Sequence, residues 1–213
     1  MIRFSLFGIP VEIQPFFWIT LVLLGGVTGA DTTEEILDIG LFVIAGFISI
    51  LVHELGHALT ARSFGASSTI TLQAFGGYAT YSGVRLNRWQ SFLVTAAGPG
   101  IQIVLGVVVF LLARQLPNLS PQGESFLGTL VFISFFWAIL NLLPVVPLDG
   151  GQMVNAVLGP ARIKITLWIT IIVAVAGAII VALETYPSRL WFIFPIFLGM
   201  FAWQAFQALK EQR

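Results

Sequence analysis

The chain contains no cysteine. Disulfides and thiolate chemistry are therefore excluded, and any metal ligands must be histidine or carboxylate. Charge is nearly as scarce: Asp, Glu, Lys and Arg make up 9% of the 213 residues, against roughly 25% in a soluble domain. So few charges cannot cover a water-exposed surface, and 57% of the residues are hydrophobic. The chain reads as a polytopic α-helical integral membrane protein. Ten basic residues balance ten acidic ones, so there is no basic footprint for nucleic acid.

A bilayer core takes about 20 mostly apolar helical residues. Six stretches meet this description: 14–30, 36–60, 91–113, 126–147, 165–184 and 190–209. The last two are separated only by Thr185-Tyr-Pro-Ser188. Arg3 followed by apolar residues and Val27-Thr-Gly-Ala30 mimics a signal peptide. Pro10, Glu12, Gln14 and Pro15 interrupt that segment, so a retained span is expected. No soluble domain fits between the spans, and residues 1–213 are expected to form a single membrane-embedded domain.

Lysine and arginine in the loops set the orientation. With both termini in the cytoplasm, Arg3, Arg62, Arg85, Arg88, Arg162, Lys164, Lys210 and Arg213 lie inside, and only Arg114 and Arg189 lie outside. The end of the second span then lies near the cytoplasmic face. The connection 61–90 carries Thr69-Ile-Thr-Leu-Gln-Ala-Phe-Gly-Gly-Tyr-Ala-Thr-Tyr81, which reads as strand, sharp turn, strand. Such an apolar hairpin is expected to be membrane-associated on the cytoplasmic side, with residues 2–13 available as further strand. Its exposed edge is expected at Thr71 or Gln73.

Histidine occurs twice in the whole chain. Both copies lie in His53-Glu-Leu-Gly-His57, inside the second apolar stretch. Positions i and i+4 share a helix face, so the two imidazoles can bind one ion. Glu54 stands where a carboxylate acts as general base toward a zinc-activated water. Catalytic zinc sites use three protein ligands and keep one position open. Glu124 and Glu184 fall on the opposite side of the membrane and Glu12 near its cytoplasmic edge. Asp149 follows the fourth span directly, on backbone broken by prolines and glycines in Asn141-Leu-Leu-Pro-Val-Val-Pro-Leu-Asp-Gly-Gly-Gln152. An ionisable residue in that setting is a functional candidate. Asn141 is either an amide donor to substrate or oxyanion or an interhelical packing contact.

His53-Glu-Leu-Gly-His57 late in one span, Phe75-Gly-Gly77, Ala97-Gly-Pro99 in the next span, and Asn141 through Pro147-Leu-Asp-Gly-Gly151 together resemble the site-2 protease family of intramembrane zinc metalloproteases. The order and spacing agree over nearly the whole chain. The resemblance implies one zinc per chain held by His53, His57 and Asp149, with Glu54 as catalytic base. It implies a place for Asn141 near the substrate. Two positions depart from the family's pattern. Val146 stands where a proline is frequent, and Gln102 where an asparagine is frequent; neither is a ligand position. The form is minimal, with neither a PDZ nor a CBS domain expected within these residues.

The expected activity is hydrolysis of peptide bonds in transmembrane segments, in regulated intramembrane proteolysis or clearance of signal-peptide remnants. The expected partners are the lipid bilayer and a transmembrane or signal-peptide substrate, which must unwind because a helix hides its carbonyls. The hairpin at Phe75, Gly76 and Gly77 is expected to take it as an added strand. The competing readings are a zinc-binding membrane transporter and a catalytically inactive membrane chaperone. Transporters spread ionisable residues along a pathway, whereas here they converge, and an inactive relative is expected to lack Glu54.

Overall fold

The computed structural model describes residues 1–74, 76–116, 118–185 and 193–212. The chain divides into two compact units, one of residues 1–86 and 97–139, the other of residues 87–96 and 140–213.

The first unit opens with two short strands, β1 (Ile2–Leu6) and β2 (Ile9–Ile13). They pair antiparallel across a tight turn in which Phe7 and Gly8 both take positive φ. The segment expected to form one further strand is thus a hairpin of its own. Helix α1 (Pro15–Leu24) follows, with proline in its first turn, where a missing N–H costs nothing. It then gives way to a short 3-10 turn at Val27–Gly29. Ten helical residues rise only about 15 Å, half a hydrocarbon core. The first expected span, 14–30, is therefore helical over only part of its length. Gly25, and Gly26 at φ +91°, end it early.

Helix α2 (Thr33–Ser63) starts at a reciprocal capping box. Thr32 Oγ1 accepts from the Glu35 amide at 3.2 Å, and Glu35 Oε2 accepts from the Thr32 amide at 2.9 Å. Beyond α2, strands β3 (Ser67–Gln73) and β4 (Gly76–Ser82) form the expected antiparallel hairpin. The sheet order is β1-β2-β3-β4, with β2 parallel to β3. Alternate residues Ile9, Val11, Ile13, Ile70 and Leu72 are buried with Leu51, Leu55 and Ala58 of α2, the period-two pattern of a one-sided sheet. Ser68 Oγ donates to the Ala58 carbonyl at 3.0 Å, and Arg62 Nη1 to the Phe7 carbonyl at 2.6 Å, tying both hairpins to α2. Strand β3 is paired on both sides, so Thr71 and Gln73 do not lie on the free edge; β4 does.

Helices α3 (Arg88–Ala113) and α4 (Pro121–Asn141) each cross the boundary between the units. Helix α4 stops at Asn141, short of the expected 147, because Pro144 and Pro147 lack the amides a helix needs. In the second unit, α5 (Asp149–Leu158) is followed by α6 (Ile163–Thr185) and α7 (Ile193–Glu211). Ala174, Leu198, Phe201 and Ala202 form a core there with Val145. Arg88 donates to the Ala156 carbonyl at 3.0 Å and also to the Val157 carbonyl, capping the C-terminal end of α5.

Among the described residues, four helices are long and apolar enough to cross a membrane: α2, α3, α4 and the segment Pro160–Glu184. This is an integral membrane protein with a small sheet. The turn expected between the last two spans falls largely outside the described residues, as do Phe75, Arg189 and Arg213.

Candidate metal centre

Helix periodicity brings Ser49, His53 and His57 onto one stripe of α2. All three are buried, as is Glu54. The two rings stand nearly perpendicular, at 83°, and their Nε2 atoms come within 3.1 Å of each other. Two nitrogens held about 2.0–2.1 Å from one tetrahedral zinc ion lie about 3.3 Å apart. The pair therefore fits a common ion with little adjustment.

Helix α3 supplies the wall behind the rings. A Cβ on Gly98 would stand 2.3 Å from His57 Nε2, and one on Gly56 would stand 2.5 Å from the Ala97 carbonyl oxygen. Only glycine at both positions lets the two helices approach this closely. One turn further along α3, Gln102 is fully buried. Its Oε1 lies 2.9 Å from His53 Nδ1.

The sheet reaches α2 at Glu54, the residue after His53. A Cβ on Gly77 would meet Glu54 Cγ at 2.7 Å and Glu54 Oε1 at 2.9 Å, so bare main chain of β4 runs against the glutamate. Gly76 has φ +133°, a conformation that disfavours any side chain, and its α-carbon faces the Trp137 indole. Both predicted glycines therefore have a physical requirement at this place; Phe75 lies outside the described residues.

Asp149 and Asn141 belong to the second unit. Asp149 is buried in the first turn of α5. The two glycines after it are forced by close backbone. A Cβ on Gly150 would lie 2.1 Å from the Leu142 carbonyl oxygen, and one on Gly151 would lie 2.4 Å from the Val146 nitrogen. The Val146 amide in turn donates to Thr170 Oγ1 at 3.1 Å. Residues 142–148 are thus folded back onto the start of α5, which fixes where the Asp149 backbone sits. Asn141 is the last residue of α4.

A model of peptidase family M50 matches residues 41–122 and 119–183. The chain belongs to peptidase family M50. A Synechocystis protein provisionally named a zinc metalloprotease is 34% identical over 163 residues, 72% of this chain and 42% of that one. A zinc metalloprotease of Methanocaldococcus jannaschii is 30% identical over 156 residues, 73% of this chain and 44% of that one. Stage IV sporulation protein FB of Bacillus subtilis is 30% identical over 146 residues, 67% of this chain and 46% of that one. The chain thus spans less than half the length of these relatives. Its fold is similar to that of a site-2 protease from Methanocaldococcus jannaschii, with a TM-score of 0.67 and 23% identity over 96% of this chain and 94% of that one.

Within this M50 chain, His53, Glu54 and His57 gather on one helix as the motif requires. Sequence reasoning missed three groups beside them: Gln102, which it treated only as a departure from the family's pattern, and Ser49 and Ser134. One signal was present in the spacing, since Ser49 precedes His53 by the same four residues that separate His53 from His57.

Proposed function

We propose that this M50 chain is an intramembrane zinc metalloprotease that hydrolyses peptide bonds in the transmembrane segments of membrane proteins or signal-peptide remnants. One observation carries the reading: two buried imidazoles offer Nε2 atoms 3.1 Å apart, on a helix long and apolar enough to cross a bilayer. A zinc transporter or an inactive chaperone has no need of the buried Glu54 carboxylate between those ligands. Asp149 is the proposed third ligand, giving one zinc per chain and leaving one coordination position open. Its burial and the glycine-forced backbone after it suit a fixed carboxylate. We take residues 1–213 as one working domain with six spans, α1 and α7 included. Both termini and the metal centre lie toward the cytoplasm, as the lysine and arginine bias favours.

When bound, zinc supplies Lewis acidity that polarises a carbonyl and makes water a competent nucleophile near neutral pH. Glu54 takes the proton of the attacking water and later gives it to the leaving amine. The Asn141 side-chain amide donates to the substrate carbonyl or to the oxyanion that develops from it. Gly77 supports β4 as the receiving strand, since its bare main chain lies against Glu54. A substrate added to the outer edge of β4 would recover main-chain hydrogen bonds lost on unwinding. From the closing pair Gln73 and Gly76, antiparallel alternation turns the main-chain groups of Gly77, Ala79 and Tyr81 toward that edge.

The test uses purified protein in lipid vesicles with a labelled transmembrane peptide. The expected result is cleavage within the apolar segment that stops with a zinc chelator, returns with added zinc and falls at least about 100-fold in Glu54→Gln. Cleavage by Glu54→Gln at the wild-type rate contradicts the reading.

A further inference from the structure

A buried chain of polar groups leads away from His53. His53 Nδ1 lies 2.9 Å from Gln102 Oε1. Gln102 Nε2 lies 2.8 Å from Ser49 Oγ and 3.3 Å from the Ser49 carbonyl oxygen. Ser49 Oγ lies 3.1 Å from Ser134 Oγ on α4. Gln102, Ser49 and Ser134 have no exposed surface at all. Three helices are thus stitched together at the depth of the metal centre.

The partners determine which end of the Gln102 amide faces which way. A peptide carbonyl can only accept, so the NH2 group faces Ser49 and the oxygen faces His53. An amide oxygen can only accept as well, so His53 Nδ1 must be the protonated nitrogen. In the neutral ring Nε2 then keeps its lone pair. That is the nitrogen facing His57. Both amide hydrogens are directed at Ser49, so its hydroxyl accepts from Gln102 and shares a further hydrogen bond with Ser134, in which either hydroxyl can donate.

We propose that Gln102 is a positioning residue that selects the metal-binding tautomer of His53 and holds its ring, with Ser49 and Ser134 locking the amide against rotation. The inference deepens the zinc reading and rests on it. Its physical basis is general: the hydrogen bond made by one ring nitrogen sets the availability of the other. Glutamine is long enough to reach from α3 to both His53 and the carbonyl of Ser49, the residue one turn before it.

Histidine ring 15N spectra of the metal-free, full-length protein test this without zinc, and only two rings contribute. The expected result is a His53 ring protonated at Nδ1 in the wild type, and loss of that preference in Gln102→Met, which keeps volume but offers no acceptor. In chelator competition, Gln102→Met should bind zinc about 10- to 100-fold more weakly. Gln102→Glu, which keeps an acceptor toward His53, should recover most of the affinity. Cobalt loaded in place of zinc should show an altered visible spectrum in Gln102→Met and a near-normal one in Gln102→Glu. A His53 ring protonated at Nε2 in the wild type overturns the proposal, and so does wild-type zinc affinity in Gln102→Met. A wild type with the expected tautomer but no affinity for zinc contradicts the metal reading and not the tautomer assignment.

Discussion

Gly98 lies so close to His57 that a single added methyl group would stand 2.3 Å from the ring's Nε2. That atom is the one directed at His53. The contact makes the helix crossing and the proposed metal centre one structural feature: α3 must present bare backbone where α2 presents His57, its second proposed ligand.

Gly98→Ala is therefore expected to push the His57 ring off its position. Zinc affinity should fall by about 10- to 100-fold. Overpacking of this kind costs about 1–3 kcal/mol, so thermal unfolding in detergent should also come earlier. Chelator competition checks the first and a melting curve the second. Unchanged zinc affinity in Gly98→Ala would show that His57 is not held there.

Gly77→Ala separates catalysis from metal binding. The new methyl group meets Glu54 Cγ and Leu72 Cδ2 at 2.7 Å, so the carboxylate or the strand must shift. Misplacing a catalytic group by about 1 Å costs on the order of 100-fold in rate. Zinc content should stay at the wild-type level, since neither histidine is touched. Wild-type cleavage by Gly77→Ala would remove β4 from the catalytic account.

Ala79→Pro deletes a main-chain donor directed to the outer edge of β4 and leaves the pairing with β3 in place. Cleavage of a helical transmembrane substrate should slow several-fold with zinc retained. The loss should shrink for a substrate already broken by glycine or proline near its cut site, because less unwinding then remains to be offset. Equal rates on both substrates, matching wild type, would end the strand-addition idea.

Much of the fold was legible because its signals are local. The spacing of His53 and His57, the run of apolar residues around them and the paired glycines after Gln73 each act within a few residues. What was missed depends on length or on partners distant in sequence. Residues 14–30 have the composition of a span but helix only over Pro15–Leu24, because Gly25 and Gly26 end the helix early. Thr71 and Gln73 looked like edge positions until β2 was found paired on their far side, an association of residues 11–13 with residues 70–72 that no short-range pattern announces. Gln102 lies 49 residues from His53 and stood out only as a departure from the family's pattern. Its amide orientation follows only from the carbonyl it faces across the helix crossing.

His53, His57 and Asp149 are proposed to hold one zinc, with Glu54 left unbound to it. Metal analysis of protein purified under identical conditions tests this most directly. One zinc per chain is expected in the wild type and in Glu54→Gln, and sharply reduced zinc in His53→Ala, His57→Ala and Asp149→Ala. Full occupancy in Asp149→Ala would contradict the proposal.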